Sequence, residues 1–139
     1  PYPFDNTVGA GQINLPVNGI AKWGKVSVTD GMTIEIPFVI QEGWRDLDAA
    51  LWWPENNIDW SYVGGLVPIP RINGHNDIDL RLIDPGGTVR DFSVSIPSVF
   101  ERAGVEGELE PGTWIIQIRG YDVDIPPETV YWAAHVVNR

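Results

Sequence analysis

The chain contains no cysteine, only two histidines, and fewer than half as many basic as acidic residues. Without cysteine no disulfide can hold the fold, so its 139 residues must bury a hydrophobic core, for which this length suffices. The 19 Asp plus Glu against 9 Lys plus Arg give a formal net charge of −10, which disfavours nucleic acid and anionic membranes as partners. No apolar run reaches the roughly 20 residues that a membrane-spanning helix needs, so we expect no membrane partner.

One short phrase occurs twice, at residues 46–54 (DLDAALWWP) and 77–85 (DIDLRLIDP). Both copies follow the order Asp, aliphatic, Asp, two variable positions, Leu, two variable positions, Pro. Side chains alternate between the two faces of a strand, so one face of each copy is apolar. These faces carry Leu47, Ala49, Leu51 and Trp53 in the first copy, and Ile78, Leu80 and Leu82 in the second. Two such strands predict a β-sandwich.

Further strands are predicted at residues 25–29, 32–40, 66–72, 88–96, 113–119 and 128–137, with Pro37 favouring an edge position or a bulge. The pattern indicates an all-β fold, an antiparallel β-sandwich with jelly-roll-like topology, about eight strands and little helix. The Pro-rich and Gly-rich residues 1–24 are predicted to form a linker or strap, and residues 25–139 the domain. Ser98 and Glu101 fit a capping box that opens a short helix ending at Gly104, and a strand is the alternative.

Catalytic groups are sparse in this sequence. No Asp, His and Ser motifs of a catalytic triad occur, and a nucleophilic triad needs those groups arranged together. His75 is expected in a loop and His135 on the last strand, without a suitable partner for either. We therefore expect the chain itself not to be an enzyme.

Calcium is the metal that the sequence favours, because Ca²⁺ takes six to eight oxygen ligands from carboxylates, carbonyls and water. Asp77 and Asp79 project from the same face of a strand, with Asn76 and Asp84 close by in the sequence. Alternative sites are two similar pairs, Asp46 with Asp48 and Asp122 with Asp124. Such pairs on an exposed strand are also commonly solvated or paired with arginine.

The seven tryptophans suggest a surface that binds sugars or polymers. Trp52 and Trp53 are adjacent on a strand and must point to opposite faces, so one lies in the core. Trp44, Trp52, Trp60 and Tyr62 could form an aromatic platform, with the last two in a long segment, residues 55–76, of the kind that often binds. The alternative is that Trp23, Trp53, Trp114 and Trp132 fill the core and the others fill loop cavities.

Several segments, in order along the chain, resemble the β-jelly-roll domain (pre-peptidase C-terminal, P-domain-like) that follows the catalytic domain in many subtilisin-like serine proteases. They are residues 9–15 (GAGQINL), 51–54 (LWWP), 76–80 (NDIDL) with 84–88 (DPGGT), 109–118 (LEPGTWIIQI), 120–123 (GYDV) and 131–137 (YWAAHVV). The family often has an Asn-Asn-Val-Glu segment, of which only Glu101 is matched here.

The resemblance implies a secreted, non-catalytic C-terminal domain that stabilises a serine protease or assists its substrate binding. It also implies a catalytic domain in the same chain as partner, possible contact with protein substrates, and structural calcium. The residues themselves leave open a stand-alone module that binds carbohydrate or fibrous protein through exposed tryptophans, or a structural domain of a cell surface.

Overall fold

The computed structural model describes residues 19–54, 58–63, 67–72, 76–95, 98–124 and 126–138, with the backbone alone for 58–63 and 67–72. The described residues form ten strands and no helix. The strands are β1 (Gly19–Val28), β2 (Thr33–Ile40), β3 (Arg45–Trp52), β4 (Ile58–Val63), β5 (Val67–Ile72), β6 (Asp77–Ile83), β7 (Val89–Ser93), β8 (Phe100–Glu108), β9 (Gly112–Asp122) and β10 (Glu128–Val137).

Eight of these strands form two four-stranded antiparallel sheets, and β4 pairs with β5 as a separate hairpin. The first sheet has the order β1-β10-β3-β8 and the second the order β2-β9-β6-β7. If the hairpin is left out and the remaining eight strands are numbered 1 to 8 along the chain, the two sheets have the strand orders 1-8-3-6 and 2-7-4-5. Every connection between consecutive strands crosses from one sheet to the other, except the connection from β6 to β7. This is a jelly-roll arrangement. The predicted all-β sandwich with about eight strands is confirmed.

The core is the apolar layer between the two sheets. On β3 and just after it, Leu47, Ala49, Leu51 and Trp53 are all buried, and so are Ile78, Leu80 and Leu82 on β6. Trp53 and Trp114 are the two largest buried side chains. The faces predicted from the repeated phrase are therefore the faces that pack together.

The edges of the sheets carry features that discourage pairing with a second molecule. Pro37 lies on β2, an edge strand as predicted, and cannot donate a ladder hydrogen bond. Lys22 on the edge strand β1 points toward the opposite sheet, with Nζ 5.1 Å from the centre of the Phe38 ring. On β8, the edge N–H of Gly104 donates to Oδ2 of Asp91 at 2.8 Å, which ties the two sheets together at that side.

Two sequence predictions about the first sheet differ from the structure. β1 begins at Gly19 rather than Lys25, because residues 19–24 continue the ladder with β10. Trp23, predicted as a core candidate, is 72% exposed, since the alternation that buries Val28 turns Trp23 outward.

The segment around Ser98 is not the short helix that was one of two alternatives. Phe100–Glu108 is strand β8, and its pairing with β3 places Glu101 opposite Leu51, facing inward. The Ser98 hydroxyl caps the start of this strand instead, accepting from the N–H of Phe100.

Replacing a central core residue tests this packing. Leu80→Ala should lower the free energy of unfolding by about 2–5 kcal/mol, because it removes methyl groups and leaves a cavity between the sheets. Chemical denaturation measures the difference. Val39→Ala, at an exposed position of β2, is the control and should change stability by less than about 0.5 kcal/mol. Equal effects of the two substitutions would contradict the assigned core.

Candidate functional site

Four large aromatic side chains lie on the outer, solvent-facing side of the first sheet. We call them the aromatic face: Trp23, Trp52, Phe100 and Tyr131, which are 72%, 46%, 50% and 43% exposed. In the strand register Tyr131 is opposite Trp52, and Trp52 is opposite Phe100, so these three form one row across β10, β3 and β8. Trp23 belongs to the neighbouring row on β1.

The local sequence explains why these rings face solvent. Trp53 is buried in the core, so Trp52 must point outward. The neighbouring row of side chains consists of Trp23, Ala133, Ala50 and Arg102. The two central residues of this row are alanines, whose side chains are single methyl groups. The Trp52 and Tyr131 ring centres lie 5.5 Å apart with their planes tilted by 37°, a favourable distance for an aromatic pair. Outward positions of a sandwich are usually polar, so this surface is unusual.

The aromatic platform predicted from the sequence is only partly described. Trp52 is exposed, whereas Trp44 is half-buried against the core and its carbonyl accepts a hydrogen bond from the N–H of Leu109. The side chains of Trp60 and Tyr62 lie outside the described part of the structure. Sequence reasoning missed Trp23, Phe100 and Tyr131 as partners of Trp52. The signal was the alternation along β1, β8 and β10, but only the strand order brings them together.

Beyond the aromatic face, the same side of β3 and β8 becomes polar. Asp48 forms an ion pair with Arg102, with Oδ1 3.0 Å from Nη2 and 3.1 Å from Nε. Asp46 occupies a bulge with a φ of 54°, where its Oδ1 accepts from the N–H of Gly107 at 2.6 Å. Together with Gly104, Val105 and Glu106, these residues line an open cleft of about 260 Å³.

The first predicted calcium ligands, Asp77 and Asp79, lie on the outer face of the second sheet. Asp77 is opposite Asp122 on β9, and Asp79 is opposite Arg119. Burial raises the pKa of Asp77, and the neighbouring Asp122 charge adds to this rise. The pKa of Asp79, a side chain only 5% exposed, is also raised, by burial first and then by Asp77, against the opposing effect of Arg81 and Arg119.

The other two predicted ligands make contacts of their own. Asn76 donates from Nδ2 to Oε2 of Glu128 at 2.8 Å, and its Oδ1 accepts from the N–H of Asp124 at 2.9 Å. Asp84 lies at the far end of β6, where its Oδ1 accepts from the N–H groups of Gly86 and Thr88 and fixes the turn.

The buried carboxyl of Glu101, which sequence reasoning assigned to a capping box as one of two alternatives, has a different place in the structure. It lies between the sheets where β7 and β8 meet, and it accepts from the Ser93 hydroxyl and from the N–H of Ser95. Burial raises the pKa of Glu101, and the two hydrogen bonds oppose that rise. Its contacts join the two sheets, which is a structural role.

Within the described ranges, no three or more His, Asp or Glu side chains are grouped so that they could hold a metal ion. Calcium at Asp77 and Asp79, or at Asp46 with Asp48 or Asp122 with Asp124, stays a prediction. Among the same residues, His135 lies opposite Asp48 on the outer face, and its Nε2 is buried without a hydrogen bond.

Comparison with known proteins does not show a family for the chain. No family model matches the chain, and no curated protein matches it. A search of the described residues for a helix long and apolar enough to cross a membrane found none. The resemblance to the domain appended to subtilisin-like proteases therefore stays a prediction.

The buried carboxyls predict an unusual dependence of stability on pH. Because the pKa of Asp79 is raised in the folded state, the folded chain binds more protons than the unfolded one between the ordinary value of 3.8 and the raised value. Stability from this group therefore falls as pH rises through that window and is lowest above it. Asp79→Asn, which imitates the protonated form, should raise the thermal midpoint at pH 7 and leave it unchanged below pH 3.8.

The control for this substitution is Glu42→Gln, which removes one negative charge from an exposed turn. It should have little effect at either pH. A lower midpoint for Asp79→Asn at pH 7 would show that attraction to Arg81 and Arg119 outweighs burial and the repulsion from Asp77.

Proposed function

We propose that this chain is a non-catalytic module that binds a neutral polysaccharide through the aromatic face. The observation that carries the proposal is the row of exposed rings from Tyr131 through Trp52 to Phe100, with Trp23 beside it. Exposed apolar patches of this kind mark binding surfaces. The rings are exposed on the outer side of a sheet and not enclosed in a pocket, which suits a polymer that lies along them better than a small substrate that must be enclosed.

The shape of the face favours sugar rings. The C–H faces of β-linked hexopyranoses are flat and apolar, and they pack on aromatic rings in the same way as other apolar groups. Because the side chains of Ala50 and Ala133 are small, a sugar chain can contact Trp52 and Trp23 at the same time.

Charge narrows the class of polymer. A net charge of −10 repels anionic polysaccharides at long range. Lys25, opposite Tyr131, and Arg102, opposite Ala50, are the cationic side chains at the margin of the face, and Asp48 pairs with Arg102. A neutral polymer carries no charge, so neither these groups nor the net charge of −10 repels it.

Substitutions on the face test the proposal. Trp52→Ala and Tyr131→Ala should each weaken binding to a soluble β-glucan by about fivefold, since each removes roughly 1 kcal/mol of stacking. Isothermal titration calorimetry with cello-oligosaccharides and co-sedimentation with cellulose measure the loss. Phe92→Ala is the matched control, because Phe92 is 57% exposed but lies on the second sheet; it should leave binding unchanged.

Two results would contradict the proposal. The first is failure of the wild-type chain to bind any β-glucan while it binds gelatin, which would indicate that the ligand of the aromatic face is a fibrous protein. The second is an equal loss of binding in Phe92→Ala and Trp52→Ala, which would show that the effect is not specific to the aromatic face.

A second candidate is the function that the resemblance implies, a C-terminal domain packed on a subtilisin-like catalytic domain in a secreted protein. A separate observation favours it. On the outer side of the second sheet, Pro37, Ile115, Ile83 and Val89 follow one another across all four strands as an apolar row. This row could pack on a neighbouring domain, while the aromatic face on the opposite side stays free to bind a polymer.

The coding sequence upstream of Pro1 tests this second candidate. An in-frame segment that encodes the Asp, His and Ser motifs of a subtilisin-type triad is the expected finding. In the joined protein, Val89→Asp should then lower the thermal midpoint of the catalytic domain by a few degrees, because it introduces a charge into the contact. An unrelated upstream segment, or an unchanged midpoint, would contradict this docking.

A further inference from the structure

We infer that the polar cleft beside the aromatic face binds the hydroxyl groups of the same polysaccharide and sets the length of ligand that the chain prefers. This inference rests on the proposed function. The cleft is lined by Asp46, Asp48, Arg102, Gly104 and Glu106, together with Leu47 and Val105. It would take one unit of a neutral hexopyranose chain whose other units stack on the aromatic rings.

The position of the cleft makes it continuous with the aromatic face. Asp48 precedes Trp52 by four residues on β3, and Arg102 follows Phe100 by two on β8. All four side chains point to the same side of the sheet, because the intervals are even. The distance from the Trp52 position to the Asp48 position is about 13 Å at the rise of a strand. A single ligand can therefore contact both only if it is longer than a monosaccharide.

The Asp48 and Arg102 pair has the right chemistry for a diol. Both short contacts of Arg102, from Nε and from Nη2, go to Oδ1 of Asp48. Among the described residues, Oδ2 of Asp48 makes no hydrogen bond, and the rest of the guanidinium is open to solvent. A sugar hydroxyl can donate to Oδ2 while its neighbour accepts from an N–H of Arg102, so the pair binds two adjacent hydroxyls.

Backbone features keep the cleft open. Gly104 forms its floor, and a Cβ at this position would lie 2.9 Å from Oδ1 of Asp48. The N–H of Gly104 is held from the other side by Asp91. The bulge at Asp46, fixed through the N–H of Gly107, forms the far wall. The floor thus depends on a residue without a side chain.

The size of the cleft limits what enters it. Its volume of about 260 Å³ is below the roughly 300–1,000 Å³ of pockets that enclose drug-sized ligands. We expect it to take a single sugar unit rather than a longer segment. The carboxylates that line it, with one arginine, make an anionic unit unfavourable.

A length series of cello-oligosaccharides, from glucose to the hexamer, tests the inference by calorimetry. For the wild-type chain, affinity should rise with length until the ligand spans about 13 Å and then level off. Arg102→Met, which keeps an unbranched apolar stem but removes the guanidinium with its charge and N–H groups, should lower affinity for the hexamer about tenfold. The same variant should bind the disaccharide as the wild type does, since that ligand cannot reach both regions.

Two further variants sharpen the test. Gly104→Ala, which fills the floor without changing charge, should reduce hexamer binding in the same way. Glu35→Gln is the control for loss of a surface polar interaction, because Glu35 accepts a hydrogen bond from Gln117 on the second sheet. Thermal unfolding of each variant confirms that it is folded before binding is compared.

The outcomes separate the inference from the proposed function. Unchanged hexamer affinity in Arg102→Met and Gly104→Ala, with a loss in Trp52→Ala, would contradict ligand binding at the cleft but not at the aromatic face. Absence of any β-glucan binding by the wild-type chain would overturn both. A uniform loss in Arg102→Met at every ligand length, the disaccharide included, would also overturn the cleft as a separate contact.

Discussion

The burial of Trp53 between the two sheets is the constraint on which the outer surface of the first sheet depends. This indole fills the apolar layer together with Trp114, and no disulfide could replace their packing in a chain without cysteine. Because Trp53 faces inward, the alternation of side chains along β3 fixes the directions of the residues before it. Trp52, Ala50 and Asp48 must face solvent. The register with β10 and β8 then sets Tyr131 and Phe100 beside Trp52. The aromatic face is thus a consequence of core packing.

The repeated phrase shows how the same local sequence meets two electrostatic environments. Both copies place two aspartates on the outward side of a strand. On β3, Asp48 lies in an open cleft, where Arg102 pairs with it. On β6, Asp79 is almost fully buried, and the pKa of its carboxyl rises because solvent is excluded and Asp77 is near. The difference comes from the neighbouring strands, since β6 is flanked by β9 and β7 and β3 by β10 and β8.

Local alternation was sufficient to predict much of the fold from the sequence, including the inward faces of β3 and β6 and the edge position of Pro37. It was insufficient where the outcome depends on strand pairing. The prediction of Trp23 as a core residue was wrong because the sequence placed the start of β1 at Lys25. Only the ladder with β10 shows that the strand begins at Gly19. The capping-box alternative at Ser98 and Glu101 failed for the same reason, since pairing with β3 makes that segment a strand. The aromatic face joins residues from four strands that are distant in sequence, and no local pattern encodes that neighbourhood.

The exposed rings do little for folding, which is itself an argument about function. A side chain that keeps 43% to 72% of its surface in water gains only part of the free energy of burial. Exposed aromatic surface also favours association between copies. The chain carries features against association elsewhere, with Lys22 pointing inward on one edge strand and Pro37 on another. Four large rings left exposed on one sheet, in a sequence that protects its edge strands, favour the proposal that these rings contact a partner. The Asp48 and Arg102 pair at the end of the same strip indicates that this contact is polar as well as apolar, as a sugar chain is and a purely hydrophobic partner is not.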